Sequence, residues 1–241
     1  MRCLSFAVMI ASWQLIATLA DSRLVPGLWQ ICHAVVVDLN SGVLLHNLLI
    51  TLRRVVIAFS SAMVLGSLIG YAMGRSRLLD TVLDGWIITL LNIPALITIV
   101  LAYVWFGLVE TAAVVAVMLN KFPSVVMTLR QGARALDRDY AEMATLYRVG
   151  RWRTIRYVTW PQLAPFVFTA ARTGLSIVWK IVLVAEALGR GDGIGGELQL
   201  FFQNFDVTRL IAYALVFIAV VQVIEAAILL PLERRATRWL R

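Results

Sequence analysis

The residue types that carry chemistry are scarce in this chain and scattered. His33 and His46 are the only histidines, and neither belongs to an HExxH or GxSxG pattern that would supply a base, a nucleophile or a metal ligand. Cys3 and Cys32 stand on either side of an apolar run, so they form neither a CxxC motif nor a disulfide framework, and no Cys/His cluster has metal spacing. No GxxxxGKS/T sequence occurs, and neither lysine follows a Gly-rich loop, so the chain does not bind ATP by a P-loop. A covert enzyme active site is disfavoured on these grounds. What is left is charge placed where charge is expensive. Lys121, Arg172, Lys180 and Glu225 lie inside apolar runs, and a charge at membrane depth costs about 3 kcal/mol on insertion scales. Arg172, Ser176, Trp179 and Lys180 recur at i, i+4, i+7 and i+8, one helical face that is polar except for the indole. Such a face is predicted to line a cavity or a subunit interface. Together with Lys121 it suits the path of an anionic solute. The structural alternative has Lys180 reaching the outer interface, Arg172 bonding to helix carbonyls and Lys121 paired with Glu225.

The elements that must position these residues follow from composition. The 241 residues are 61% apolar and 15% charged, with a mean hydropathy of +0.83. A water-facing surface cannot be assembled from that mixture, so the chain is membrane-embedded. Apolar runs at 4–20, 55–73, 86–106, 111–129, 162–184 and 210–230 predict an all-α integral membrane protein with six transmembrane helices. The first run also fits a cleaved signal peptide; a retained span is preferred because it leaves an even count. Pro94 and Pro123 each interrupt an apolar run and predict local kinks.

Net charge is +8, and all the basic residues except Lys121 and Lys180 are arginine. With the N-terminus inside, the inner segments hold fourteen bases and the outer segments five, Arg23, Arg53, Arg54, Arg190 and Arg209, beside seven acids. That asymmetry predicts both termini in the cytoplasm, and it assigns the basic residues to topology rather than to nucleic acid. Between the first two spans, Leu28, Trp29, Ile31 and Cys32 beside Gln30 and His33 read as an amphipathic surface segment. The glycine-rich GRGDGIGG over 189–196 reads as a turn or loop rather than helix.

The most informative segment is 130–161, long and basic, between spans four and five. Asp137 or Asp139 can cap a short helix carrying Tyr140, Ala144 and Tyr147. Gly150 can break it, and Trp152, Ile155 and Val158 can begin a second helix ending before Pro161. A helix-turn-helix elbow in the cytoplasm results, and its interleaved aromatics suit a docking surface better than a plain tether.

This segment resembles the EAA loop of binding-protein-dependent ABC transporter permeases, whose pattern is Glu-Ala-Ala, three residues, Gly, nine residues, then Ile-x-Leu-Pro. Glu142 matches the Glu, Ala144 the second Ala, Val158 the Ile and Pro161 the Pro, at the full spacing. Met143, Arg148 and Trp160 stand where the pattern has Ala, Gly and Leu. With Arg148 in the Gly place, the turn is expected to move, to Gly150. The segments SLIGYAMGRSRLLD, NIPALITIVLAYVWFGL, ARTGLSIVWKIVLVAEALG and DGIGGEL resemble the nitrate/sulfonate/taurine branch of these permeases, so the likeness spans 45–240. The resemblance implies one permease domain over 1–241, with 1–54 the first span and surface segment, 55–241 the permease core and 130–161 the coupling loop. It implies a docking role toward an ATPase for Asp139, Tyr140, Glu142, Ala144, Tyr147, Arg148, Gly150, Trp152 and Pro161. Its implied partners are an ATP-binding subunit that holds ATP and Mg, a periplasmic or lipid-anchored substrate-binding protein, a second permease chain as homodimer, and the lipid of a bacterial inner membrane. No cofactor is expected in this chain, and no enzyme activity. The rival is a secondary transporter or channel using Glu225, but such folds show an internal repeat that is not evident here.

Overall fold

A computed structural model describes residues 2–20 and 24–229, with side chains omitted at 2–7, 20, 141, 228 and 229. Asp21, Arg23, the end of the sixth run from Leu230, and Arg234, Arg235, Arg238 and Arg241 lie outside the described residues. All regular structure among the described residues is helical. In chain order the helices are α1 (Arg2–Ala20), α2 (Leu28–Asn40), α3 (Val43–Arg75), α4 (Arg77–Asn92), α5 (Ala95–Phe106), α6 (Glu110–Arg134) and α7 (Arg138–Leu146). Then come α8 (Arg151–Thr154), α9 (Trp160–Gly189), α10 (Gly193–Gln203) and α11 (Val207–Ile224). A π-helical stretch, Ile155–Thr159, joins α8 to α9, and another, Glu225–Leu229, follows α11.

Among the described residues four helices are long and apolar enough to cross a membrane: Val43–Arg75, Glu110–Arg134, Arg151–Gly189 and Val207–Ala227. The pair α4 and α5 makes a fifth if its two halves count as one span. The third run is therefore not a straight helix. Its two halves are bent by 98°, because Ile93 before the proline is extended (φ −73°, ψ 121°) and Pro94 has no N–H to carry the ladder on. Pro123, by contrast, is absorbed inside the continuous helix α6.

Contacts divide the chain into two compact units, 1–53 with 183–223, and 54–182 with 224–241. Within the larger unit, three glycines one turn apart on α3 let it lie directly on α6. A Cβ on Gly66 would sit 2.7 Å from Val125, one on Gly70 2.5 Å from the Val126 carbonyl, and one on Gly74 2.5 Å from Ala133. Small residues at this spacing are how helices approach closely where lipid offers no hydrophobic drive. α4 is held to α6 by charge: Arg130 Nε lies 2.6 Å from Asp80, Arg130 also reaches Asp84, and Arg134 pairs with Asp80. Buried Arg54 pairs with Glu110 at 2.6 Å. Glu110 opens α6, where the positive end of the helix dipole also favours a carboxylate. The sequence reading placed Arg54 in an outer segment. It lies within α3, which begins at Val43, and there the carboxylate compensates its burial.

In the smaller unit the apolar α1 is tied to the chain that follows it. Trp13 Nε1 donates to the Pro26 carbonyl (3.1 Å), and Gln14 Oε1 accepts from the Leu28 N–H (3.0 Å). The amphipathic stretch forms α2, with Ile31 buried and Trp29 exposed. Buried Asp38 of α2 pairs with Arg209 at 3.3 Å. Phe201 of α10 meets Tyr213 of α11 edge to face at 4.9 Å.

Candidate functional site

The elbow forms between α6 and α9. Asp137 caps α7, its Oδ1 accepting the Asp139 N–H at 2.9 Å, while Asp139 supplies the acid that the first turn of a helix prefers. The helix closes with two bonds. The Arg148 N–H donates to the Thr145 carbonyl (3.0 Å) and the Val149 N–H to the Ala144 carbonyl (2.8 Å), a Schellman pair. That motif needs a left-handed residue just past the cap, and it is Arg148, at φ 51°. The turn has therefore not moved to Gly150, as the sequence reading expected. Gly150 is extended (φ −60°, ψ 147°) and stands at the N-cap of α8. Arg148 holds the conformation that a glycine provides without strain.

The second limb also departs from expectation. It does not end before Pro161. Residues 151–189 form one continuous 39-residue helix. Pro161 cannot donate to the carbonyl of Tyr157, and the turns just before it widen to the π-helical Ile155–Thr159. The elbow is thus one short helix, α7, set against the extended start of α9. Ala144 is buried, whereas Tyr140, Glu142, Tyr147 and Trp152 are exposed, the last two each at 73%. Arg75, Arg138, Glu142, Thr145 and Leu146 line an open cleft beside α7.

On α9 the structure separates the predicted path residues. Arg172, Ser176 and Lys180 are exposed together, joined by Thr169 and Thr173, while Trp179 is buried at 4%. Lys121 is not on that face. It is 1% exposed, donates to Ser124 Oγ at 3.0 Å, and packs against Gly174, about 200° around α9 from Arg172. Its hydrogen bond goes to Ser124 and not to Glu225.

The sequence reading missed the most tightly built polar cluster of the smaller unit. GRGDGIGG is not all loop, since α10 begins at Gly193. Its first N–H groups, which no helix can satisfy internally, go to side chains of two other helices. The Gly193 N–H donates to Asn47 Oδ1 (2.8 Å), Ile194 to Thr51 Oγ1 (2.8 Å) and Gly195 to Glu186 Oε2 (2.9 Å). Thr51 Oγ1 in turn donates to Glu186 (2.9 Å), and Asn47 Nδ2 to Glu197 (2.8 Å). Glu186 is fully buried at the positive end of the α10 dipole. Gly193 has φ 86°, and a Cβ there would stand 2.6 Å from the Glu186 carboxyl carbon. The signal was the mixture of polar Asn47 and Thr51, one turn apart, with four downstream glycines.

Residues 62–234 match the model of a family described as the binding-protein-dependent transport system inner membrane component. The chain belongs to this family. Among its relatives, a probable ABC transporter permease protein of Brucella melitensis is 28% identical over 99% of this chain and 96% of its own length. The taurine transport system permease protein TauC of Escherichia coli strain K12 is 25% identical over 98% and 88%. The putative aliphatic sulfonates transport permease protein SsuC of the same strain is 29% identical over 95% and 88%. Among solved structures, the MetNI methionine ABC transporter in an inward-facing conformation superposes with a TM-score of 0.70 over 83% of this chain and 99% of the matched one, at 17% identity. The permease resemblance read from 130–161 is thereby confirmed, and the chain is a multi-pass membrane protein of the permease fold.

Proposed function

We propose that this chain is the membrane subunit of an ABC importer for a small sulfonate-, taurine- or nitrate-type anion, working through six spans with both termini in the cytoplasm of a bacterial inner membrane. Five spans are carried by the four long helices and the bent pair taken as one. α1 supplies the remaining one, and its bonds to Pro26 and Leu28 support its retention. In this reading 1–241 is one permease domain. The chain hydrolyses nothing itself. ATP and Mg are held by a partner subunit, and a second permease chain completes the path.

The observation that carries this reading is the elbow. α7 ends in a Schellman turn at the family's Gly position and leaves Tyr140, Glu142, Tyr147 and Trp152 uncovered. These residues, with Asp139, Arg148 and Gly150 shaping the turn, dock in a cleft of the ATPase. The limb runs on through the π-helical turn into α9, so displacement of the elbow is passed along the helix to that span. The exposed row of Arg172, Ser176 and Lys180, with Trp179 buttressing it from inside, lines the path. Lys121 adds positive charge behind Gly174. Closure of the ATPase pair draws two elbows together and exchanges outward for inward access.

A single cysteine at Tyr147, in the purified complex with its ATPase, should crosslink to that subunit with a short bifunctional reagent. A complex that stays active and yields no crosslink would remove Tyr147 from the docking surface.

A further inference from the structure

In the larger unit, α3 and α9 enclose a groove of about 450 Å³ whose lining is almost wholly apolar, including Met63, Leu68 and Tyr71 on one wall and Ile155, Leu163 and Val167 on the other. Its direction follows from the packing. Gly66, Gly70 and Gly74 meet Val125, Val126 and Ala133 in ascending order, so α3 and α6 run the same way. Lys121 meets Gly174 and Gly132 meets Phe166, so α6 and α9 run oppositely. α3 and α9 are therefore antiparallel, and the end of α3 and the approach to α9 share one end of the groove.

That end is basic and aromatic. Arg75 lies one turn past Tyr71 on α3, and Arg156 one turn before Trp160. Both are exposed, and neither has an acidic partner among the described residues. The Arg156 guanidinium lies 5.9 Å from the ring centroid of Tyr157, and Trp160, which lines the groove, and Tyr157 are 51% and 70% exposed. Trp and Tyr with arginine is the residue mixture of the membrane–water interface, where arginine meets lipid phosphate. From Ile155 to Val167 the helix rises about 18 Å, close to the ~15 Å depth of one leaflet's hydrocarbon. The groove thus has one leaflet's depth, an apolar body and an unpaired cationic mouth.

We propose that it holds one acyl chain of an anionic phospholipid, with Arg75 and Arg156 taking the phosphate. A lipid seated there would bridge α3 to the base of the elbow on α9. This goes beyond the importer reading and does not depend on it, since the test reads bound lipid and not uptake. The purified complex is equilibrated in nanodiscs of phosphatidylglycerol and phosphatidylcholine, extracted into mild detergent and weighed by native mass spectrometry. The wild type should retain phosphatidylglycerol in preference to phosphatidylcholine, and excess inorganic phosphate should not release it. R75Q/R156Q should retain about tenfold less, the loss expected for charge-assisted hydrogen bonds. V167W should expel the lipid with both arginines intact, which separates loss of the site from loss of charge. Equal retention of the two lipids by the wild type, or unchanged preference in R75Q/R156Q, would overturn the proposal. So would a cysteine at Ser67 that crosslinks to a second copy of the chain, because the groove would then be a protein interface.

Discussion

Arg148 is the residue where a change of one side chain leaves the geometry standing and changes its cost. The left-handed conformation at φ 51° is demanded by the two bonds that close α7, so an arginine pays roughly 1–2 kcal/mol that glycine would not. Arg148→Gly should therefore preserve uptake and slow proteolysis of the elbow, gaining about 1 kcal/mol of local stability less whatever unfolded-state freedom the glycine adds. Gly150→Ala should change little, because Gly150 is extended and no atom stands within 4 Å of the Cβ it would gain. Limited proteolysis of the two purified variants checks both. The opposite ranking, with Gly150→Ala damaging and Arg148→Gly neutral or harmful, would put the turn at Gly150. Spacing alone fixed that a turn occurs between Glu142 and Pro161. It could not say which residue takes the positive φ, because the deciding bonds join backbone atoms whose positions composition does not encode.

At the scale of elements, the α3–α6 contact is sensitive to volume. Gly70→Leu must push apart helices whose backbones already touch, and Gly85→Ala meets no atom within 4 Å. Gly70→Leu is expected to lower the yield of folded complex in detergent by more than tenfold, whereas Gly85→Ala should match the wild type by size-exclusion chromatography. The long apolar runs were legible as helices because only a helix satisfies a lipid-embedded backbone within a single segment, and runs of about 20 apolar residues are too long and unalternating for barrel strands. The 98° break at Pro94 was legible only as a kink, since a proline states that a ladder is interrupted and not how far the halves diverge. The glycines of 193–196 misled more deeply. Their local preference is for a turn, and it is overridden by Asn47 and Thr51, 146 and 143 residues away, and by Glu186, nine residues before Gly195, which accept the first N–H groups of α10. No window of sequence contains all of those partners. Arg54 and Glu110 evaded reading for the same reason, fifty-six residues apart in sequence and 2.6 Å apart in space.

For the whole molecule, the charge asymmetry and the elbow support the proposed division of labour, in which basic residues shape the coupling loop and a few placed on or behind α9 attend the solute. Lys180→Gln should reduce uptake in proteoliposomes severalfold while leaving assembly with the ATPase intact, because it removes charge from an exposed face. Lys121→Met should reduce it as well, with a loss of stability no greater than that of a conservative core change, since the methionine keeps the stem that fills the space beside Gly174. Full uptake by both variants would take these lysines out of the path. Uptake itself decides whether the chain is a coupled subunit or a carrier in its own right. In proteoliposomes holding the chain with its ATPase and binding protein, solute entry should require ATP, stop when the ATPase is omitted, and show no response to an imposed proton gradient. Entry driven by that gradient without the ATPase would contradict the importer reading.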